Sequence, residues 1–184
     1  EIDPEVIEVA YEYFDVPRSD EMQVYTADAR GYINAVRDER SYDIVYTDAF
    51  SSYSIPSHLT TREFFRTLEK TMEPNGLLVA NTIDVYSIGR FLNAVTNTVE
   101  EVFANVNVYI DSEAELDRRL TYVLVASNGP VPGDRIRTSE GIVGERLPER
   151  RLAELEERHG ERVLTDEHAP VDNMMAPVFL NQVE

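Results

Sequence analysis

Cysteine is absent from the 184 residues, which excludes disulfides and thiolate zinc sites and fits a reducing cytosol. Lysine is almost missing: Lys70 stands alone, and 17 basic residues face 35 acidic ones for a formal charge of −18. No apolar stretch approaches the length of a bilayer span, so neither a transmembrane helix nor a membrane partner is expected for this chain. Residues 1–3 open an acidic, helix-like segment rather than a signal peptide, which adds to the expectation of a cytoplasmic location. Glycine is missing where it would be most informative. Gly31 is the first, and no G-x-G-x-x-G follows a strand anywhere.

What is present is enough to fold. Hydrophobic residues make up 42% of the chain, sufficient for one domain with a real core. The negative charge repels nucleic acid, whose binding depends on clustered Lys and Arg, so no nucleic-acid partner is expected. Acid could also steer a cationic substrate. Its spread along the whole chain, with the near-loss of lysine, instead favours adaptation to high salt.

Helical and strand patterns alternate, which predicts an α/β fold with a mostly parallel sheet flanked by helices. Asp3 and Pro4 suit the N-cap and first position of a helix carrying Val6, Ile7, Ala10, Tyr11 and Phe14. Met22 to Thr26 reads as a short strand, followed by a helix from Ala29 to Arg37. Tyr42 to Thr47 reads as a buried strand that ends in Asp48. A helix from Thr61 to Met72, a turn at Pro74-Asn75-Gly76 and a strand from Leu77 to Thr82 come next. A helix from Ile88 to Phe103 and two closing strands, Val106 to Ile110 and Leu120 to Ala126, complete the first unit. The turn residues after Asn128 divide a domain at 1–127 from a C-terminal extension at 128–184. That extension carries one amphipathic helix, Pro148 to His159, whose Leu152 and Leu155 pack on the domain or on a second subunit. A doubly wound sheet ordinarily opens with a strand and a glycine-rich turn. Without that turn, the sheet is expected to be N-terminally incomplete.

Three acids fall at expected strand ends, where open α/β sheets place ligands. Glu1 could accept ribose hydroxyls, Asp28 an adenine amine, and Asp48 could act on a substrate beside the crevice. The same acids could simply cap helices. Periodicity leaves both readings open. His58, His159 and His168 lack metal-ligand spacing and read as surface or loop histidines, so no metal is expected.

The motifs Glu1-Ile2-Asp3-Pro4-Glu5-Val6-Ile7, Ala27-Asp28-Ala29-Arg30 and Tyr42-Asp43-Ile44-Val45-Tyr46-Thr47-Asp48 stand in an order and spacing that resembles the spermidine synthase family. Leu59-Thr60-Thr61-Arg62-Glu63-Phe64-Phe65 and Pro74-Asn75-Gly76-Leu77-Leu78-Val79 continue the match. The tail Leu164-Thr165-Asp166-Glu167-His168-Ala169-Pro170-Val171-Asp172 resembles the ending of a spermidine-synthase-like branch. The resemblance implies a Rossmann-like, methyltransferase-like fold and aminopropyl transfer from decarboxylated S-adenosylmethionine to an amine, with no prosthetic group. It implies that Glu1 binds the ribose, that Asp28 and the Ala29 backbone contact adenine, and that Asp48 accepts the proton of the attacking amine. Family members often dimerise, which makes a homodimer an expectation.

The likeness breaks at one charge. The family has a second Asp three residues after the catalytic one, where this chain has Ser51. A neutral hydrogen bond there weakens a polyamine anchor by about 1–2 kcal/mol. Tyr53 is the candidate for compensation by a cation–π contact. Two alternatives remain on the same fold: a methyltransferase using intact S-adenosylmethionine, and a non-catalytic module that binds a nucleoside or a polyamine.

Overall fold

The computed structural model describes residues 1–39, 41–49, 54–139 and 141–180. Within them one six-stranded sheet organises the chain. Its strands are β1 (Tyr42–Thr47), β2 (Met72–Val85), β3 (Asn105–Ile110), β4 (Arg119–Ser127), β5 (Arg135–Thr138) and β6 (Gly141–Arg146), in the spatial order β1-β2-β4-β3-β6-β5. Six helices accompany them: α1 (Pro4–Tyr13), α2 (Ala29–Val36), α3 (Arg62–Glu69), α4 (Arg90–Glu100), α5 (Glu149–His159) and α6 (Val171–Leu180).

The α/β Rossmann-like class matches the expectation, but the pairing is mixed. β1 runs parallel to β2 through the crossover helix α3, whereas β4 inserts antiparallel between β2 and β3. β6 then extends the sheet from β3, and β5 closes a hairpin on β6. The residues beyond 127 thus add two strands to the same sheet, and two helices rather than the single one expected.

Met22 to Thr26 does not form a strand. Among the described residues an isolated bridge joins Ser19 to Met22, and Glu1 exchanges backbone hydrogen bonds with Tyr25 and Ala27. The Pro74-Asn75-Gly76 turn is instead absorbed into β2 as an irregularity: Tyr42 pairs with Met72 and Ile44 with Leu77. A Cβ on Gly76 would lie 2.9 Å from the Tyr42 carbonyl oxygen and 3.0 Å from that of Glu73. Backbone on two sides leaves room only for glycine.

The core centres on α4, which buries Phe91, Leu92, Ala94, Val95 and Val99 against β2, β3, β4, α5 and α6. Leu78 and Ala80 of β2, Leu124 of β4, Leu155 of α5 and Met174, Met175 and Val178 of α6 complete it. Truncating any of the fully buried leucines to alanine costs about 2–5 kcal/mol. Gly89 caps α4 in the left-handed region at φ +55°, and a Cβ there would collide with Leu155. This contact seats α5 on the chain's own core. By contrast α1 and α2 bury no residue, and Val6, Val9, Ile44 and Tyr46 remain exposed.

Candidate active site

Glu1 and Asp28 are joined through backbone. The Glu1 nitrogen donates to the Tyr25 carbonyl at 3.3 Å, and the Ala27 N–H donates to the Glu1 carbonyl at 3.0 Å. Those bonds to alternate residues have the pattern of one parallel bridge. They set the residue before Asp28 directly beside Glu1. The Glu1 side chain accepts the Asp3 N–H at 3.0 Å, and Asp3 in turn caps α1 by accepting from Glu5 at 2.8 Å.

Asp28 is the N-cap of α2, where Oδ1 accepts the Gly31 N–H at 2.9 Å. The capping reading therefore holds for this acid, and no ladder strand precedes it. Capping does not exhaust the carboxylate, since each oxygen has a second lone pair. Oδ2 lies 2.8 Å from Nε2 of His58. The Gly31 N–H and, after it, the His58 contact hold the Asp28 carboxyl below its ordinary range. Ala29 is the exposed first residue of α2. Its backbone follows the capping acid directly, as the resemblance requires of the adenine contact.

Asp48 stands one residue beyond β1, exposed at the carboxyl end of that strand. The 3₁₀ turn Ser57–Leu59 carries His58 to the Asp28 turn. Ser51 and Tyr53, the two residues assigned to the acceptor, lie outside the described residues.

Sequence reasoning missed His58 as an Asp28 partner and missed the pairing of Arg30 with Asp166. The guanidinium of Arg30 donates to both Asp166 oxygens, at 2.8 Å and 2.6 Å. No local signal could have joined residues 136 apart. The tail motif around Asp166 was the only pointer. Two surface cavities lie elsewhere: one of about 420 Å³ at the amino end of β2, and one of about 510 Å³ between Tyr86, Leu116 and α5. Neither is lined by Glu1, Asp28 or Asp48. The candidate residues lie at the Asp28 turn and just beyond the carboxyl end of β1.

A mixed sheet flanked by helices, with Asp48 just beyond the carboxyl end of β1, is an α/β Rossmann-like fold. Similar solved folds agree. A probable spermidine synthase from Corynebacterium glutamicum superposes with a TM-score of 0.70 at 23% identity, covering 93% of this chain and 63% of that one. Human methyltransferase-like protein 13, in complex with SAH, gives 0.57 at 21% identity, covering 95% of this chain and 75% of that one. The family model for the spermine/spermidine synthase domain matches residues 1–126, and the chain belongs to that family. Polyamine aminopropyltransferase from Vibrio vulnificus is 37% identical over 109 residues, which is 59% of this chain and 36% of that protein. The chain therefore spans little more than a third of that relative's length.

Proposed function

We propose that this chain is the part of a polyamine aminopropyltransferase that holds the nucleoside of decarboxylated S-adenosylmethionine and activates an amine acceptor. The observation that supports it is the family match over residues 1–126, a span that contains Glu1, Asp28 and Asp48. In this reading Glu1 receives the ribose hydroxyls, Asp28 and the Ala29 backbone receive adenine, and Asp48 meets the acceptor. Ser51 and Tyr53 are the residues the resemblance assigns to that acceptor.

The chemistry explains a carboxylate at residue 48. The donor is a sulfonium, already a good leaving group, so the bond that forms is amine nitrogen to the propyl carbon beside sulfur. The carbon–sulfur bond breaks, and its electron pair leaves with the thioether. The acceptor nitrogen is protonated at neutral pH, with a pKa near ~10.4, and has no lone pair until that proton departs. An ionised Asp48 draws the ammonium in, aligns nitrogen with carbon and takes up the proton. A carboxylate is a weak base, so the effect of Asp48 comes from position and charge more than from proton affinity. The dispersed acidity we assign to life at high salt in a cytoplasm.

The test is incubation of the chain, within its parent protein, with decarboxylated S-adenosylmethionine and a panel of diamines and triamines. Methylthioadenosine and an elongated amine are the expected products. A protein that folds, ignores the decarboxylated donor and converts intact S-adenosylmethionine to S-adenosylhomocysteine would overturn the reading in favour of methyl transfer.

A further inference from the structure

The tail motif has no part in the proposed chemistry, yet it reaches the candidate site. Asp166 takes both arms of the Arg30 guanidinium, with Nη1 to Oδ1 at 2.8 Å and Nη2 to Oδ2 at 2.6 Å. The hydroxyl of Thr61, itself the N-cap of α3, donates to the same Oδ1 at 2.7 Å. The backbone N–H of Asp166 donates to Glu63 at 3.0 Å, and the Arg62 N–H donates to the Leu164 carbonyl at 2.8 Å. Four separate contacts thus fasten residues 164–166 to the start of α3 and to α2.

Arg30 does not stop at Asp166. Its Nη1 also donates to the His58 carbonyl oxygen at 3.2 Å, and the His58 ring meets Asp28 at 2.8 Å. A guanidinium is planar, so a two-armed carboxylate contact fixes both its position and its plane. Fixing Arg30 fixes the His58 backbone, and the His58 backbone aims the imidazole. Asp28 needs such aid. Its side chain is 41% exposed, and a recognition group must be held to within about 0.5 Å of its productive place.

We propose that Asp166 is a positioning residue, which clamps Arg30 so that His58 presets the Asp28 carboxylate for the amino group of an adenine nucleoside. The inference rests on the nucleoside reading of Asp28 given above. It makes the tail part of the donor site, and it explains why the Ala27-Asp28-Ala29-Arg30 and Leu164-Thr165-Asp166 motifs occur in one chain.

The test uses isotope-labelled chain as wild type, Asp166→Asn, Arg30→Lys and the double variant, with His58→Gln to assign the imidazole. Long-range proton–nitrogen spectra report the His58 ring, and titration with methylthioadenosine reports affinity. Arg30→Lys keeps the charge but loses the fork, so it serves if Asp166→Asn fails to fold. Both single variants are expected to shift the His58 Nε2 resonance and to weaken the nucleoside about three- to tenfold. The double variant should be no weaker than either single one, because the two residues act as one unit. In the parent enzyme the same loss should fall on the donor KM and leave kcat in place. A His58 resonance that stays put in both variants while the nucleoside still binds removes the clamp and keeps the donor reading. A resonance that moves in a chain whose wild type binds no adenine nucleoside keeps the clamp and removes the donor. Unchanged affinity beside a moved resonance overturns the proposal.

Discussion

The carboxylate of Asp84, in β2, accepts the backbone N–H of Leu92 at 2.9 Å, so a strand residue caps the first turn of α4. It also accepts from Phe91 at 3.1 Å and from Val85 at 2.7 Å. Gly89, at the N-cap itself, offers no side chain for the task. Burial pushes the Asp84 carboxyl up while those N–H groups pull the other way. Asp84→Ala would leave buried donors unpaired at the centre of the core. The expected loss is about 2–4 kcal/mol, read from urea unfolding. Asp84→Asn keeps one acceptor and should lose less than half as much.

Asp48→Asn preserves shape and removes the charge. The expected outcome in the parent enzyme is a fall of about 10²–10⁴ in kcat. Donor affinity by calorimetry should stay within about twofold. An unchanged kcat would place proton transfer elsewhere.

Acid should unfasten the tail. The Asp166 carboxyl is lowered by its hydrogen bonds from Arg30, and the Asp28 carboxyl by Gly31 and His58. A carboxyl lowered by folding contributes stability above its unfolded value, near ~3.9, and loses it as the pH falls through the folded value. Both contributions are thus present at neutral pH and are lost progressively as the pH falls from about 4 through the lower folded values. Unfolding followed from pH 5 to pH 2 should show a shallower acid limb in Asp166→Asn than in wild type.

Salt should act in the opposite sense to its effect on an ordinary surface ion pair. With a formal charge of −18, repulsion among carboxylates outweighs the scattered arginine pairs, and at 1 M salt the screening length is only ~3 Å. Melting temperature should rise by about 5 °C or more between ~0.1 M and ~2 M potassium chloride. A flat or falling curve would contradict the high-salt reading.

The elements legible in the sequence were those with a regular apolar pattern. Tyr42–Thr47 has the expected bounds but is not the buried strand expected, since Ile44 and Tyr46 are exposed, and the helix expected from Ile88 to Phe103 forms over Arg90–Glu100 as the most buried helix among the described residues. The elements missed carry weak patterns for physical reasons. Arg135–Thr138 is short and half charged, and Gly141–Arg146 holds two glycines, yet β3 provides a ready edge for them to extend. Val171–Leu180 contains Pro177 and still forms a helix, held by Met174, Met175 and Val178 in the core. At the candidate site, the family motifs assigned roles to Glu1, Asp28 and Asp48. They gave no hint of His58, because a lone histidine in a loop has no pattern. Met22 to Thr26, expected as a strand, is not one among the described residues.

Burial is unevenly distributed, and the two ends of the candidate site inherit that asymmetry. Asp48 follows a strand hydrogen-bonded along its length to β2. Glu1 and Asp28 belong to a segment whose two helices bury nothing. Hydrogen exchange should therefore be slowest in β2, β4 and α4 and fastest before residue 40, since local opening follows local contact. A nucleoside bridging Glu1 and Asp28 would quench the fluctuations of the loosest segment of the described chain, and part of its intrinsic affinity would be offset by that ordering.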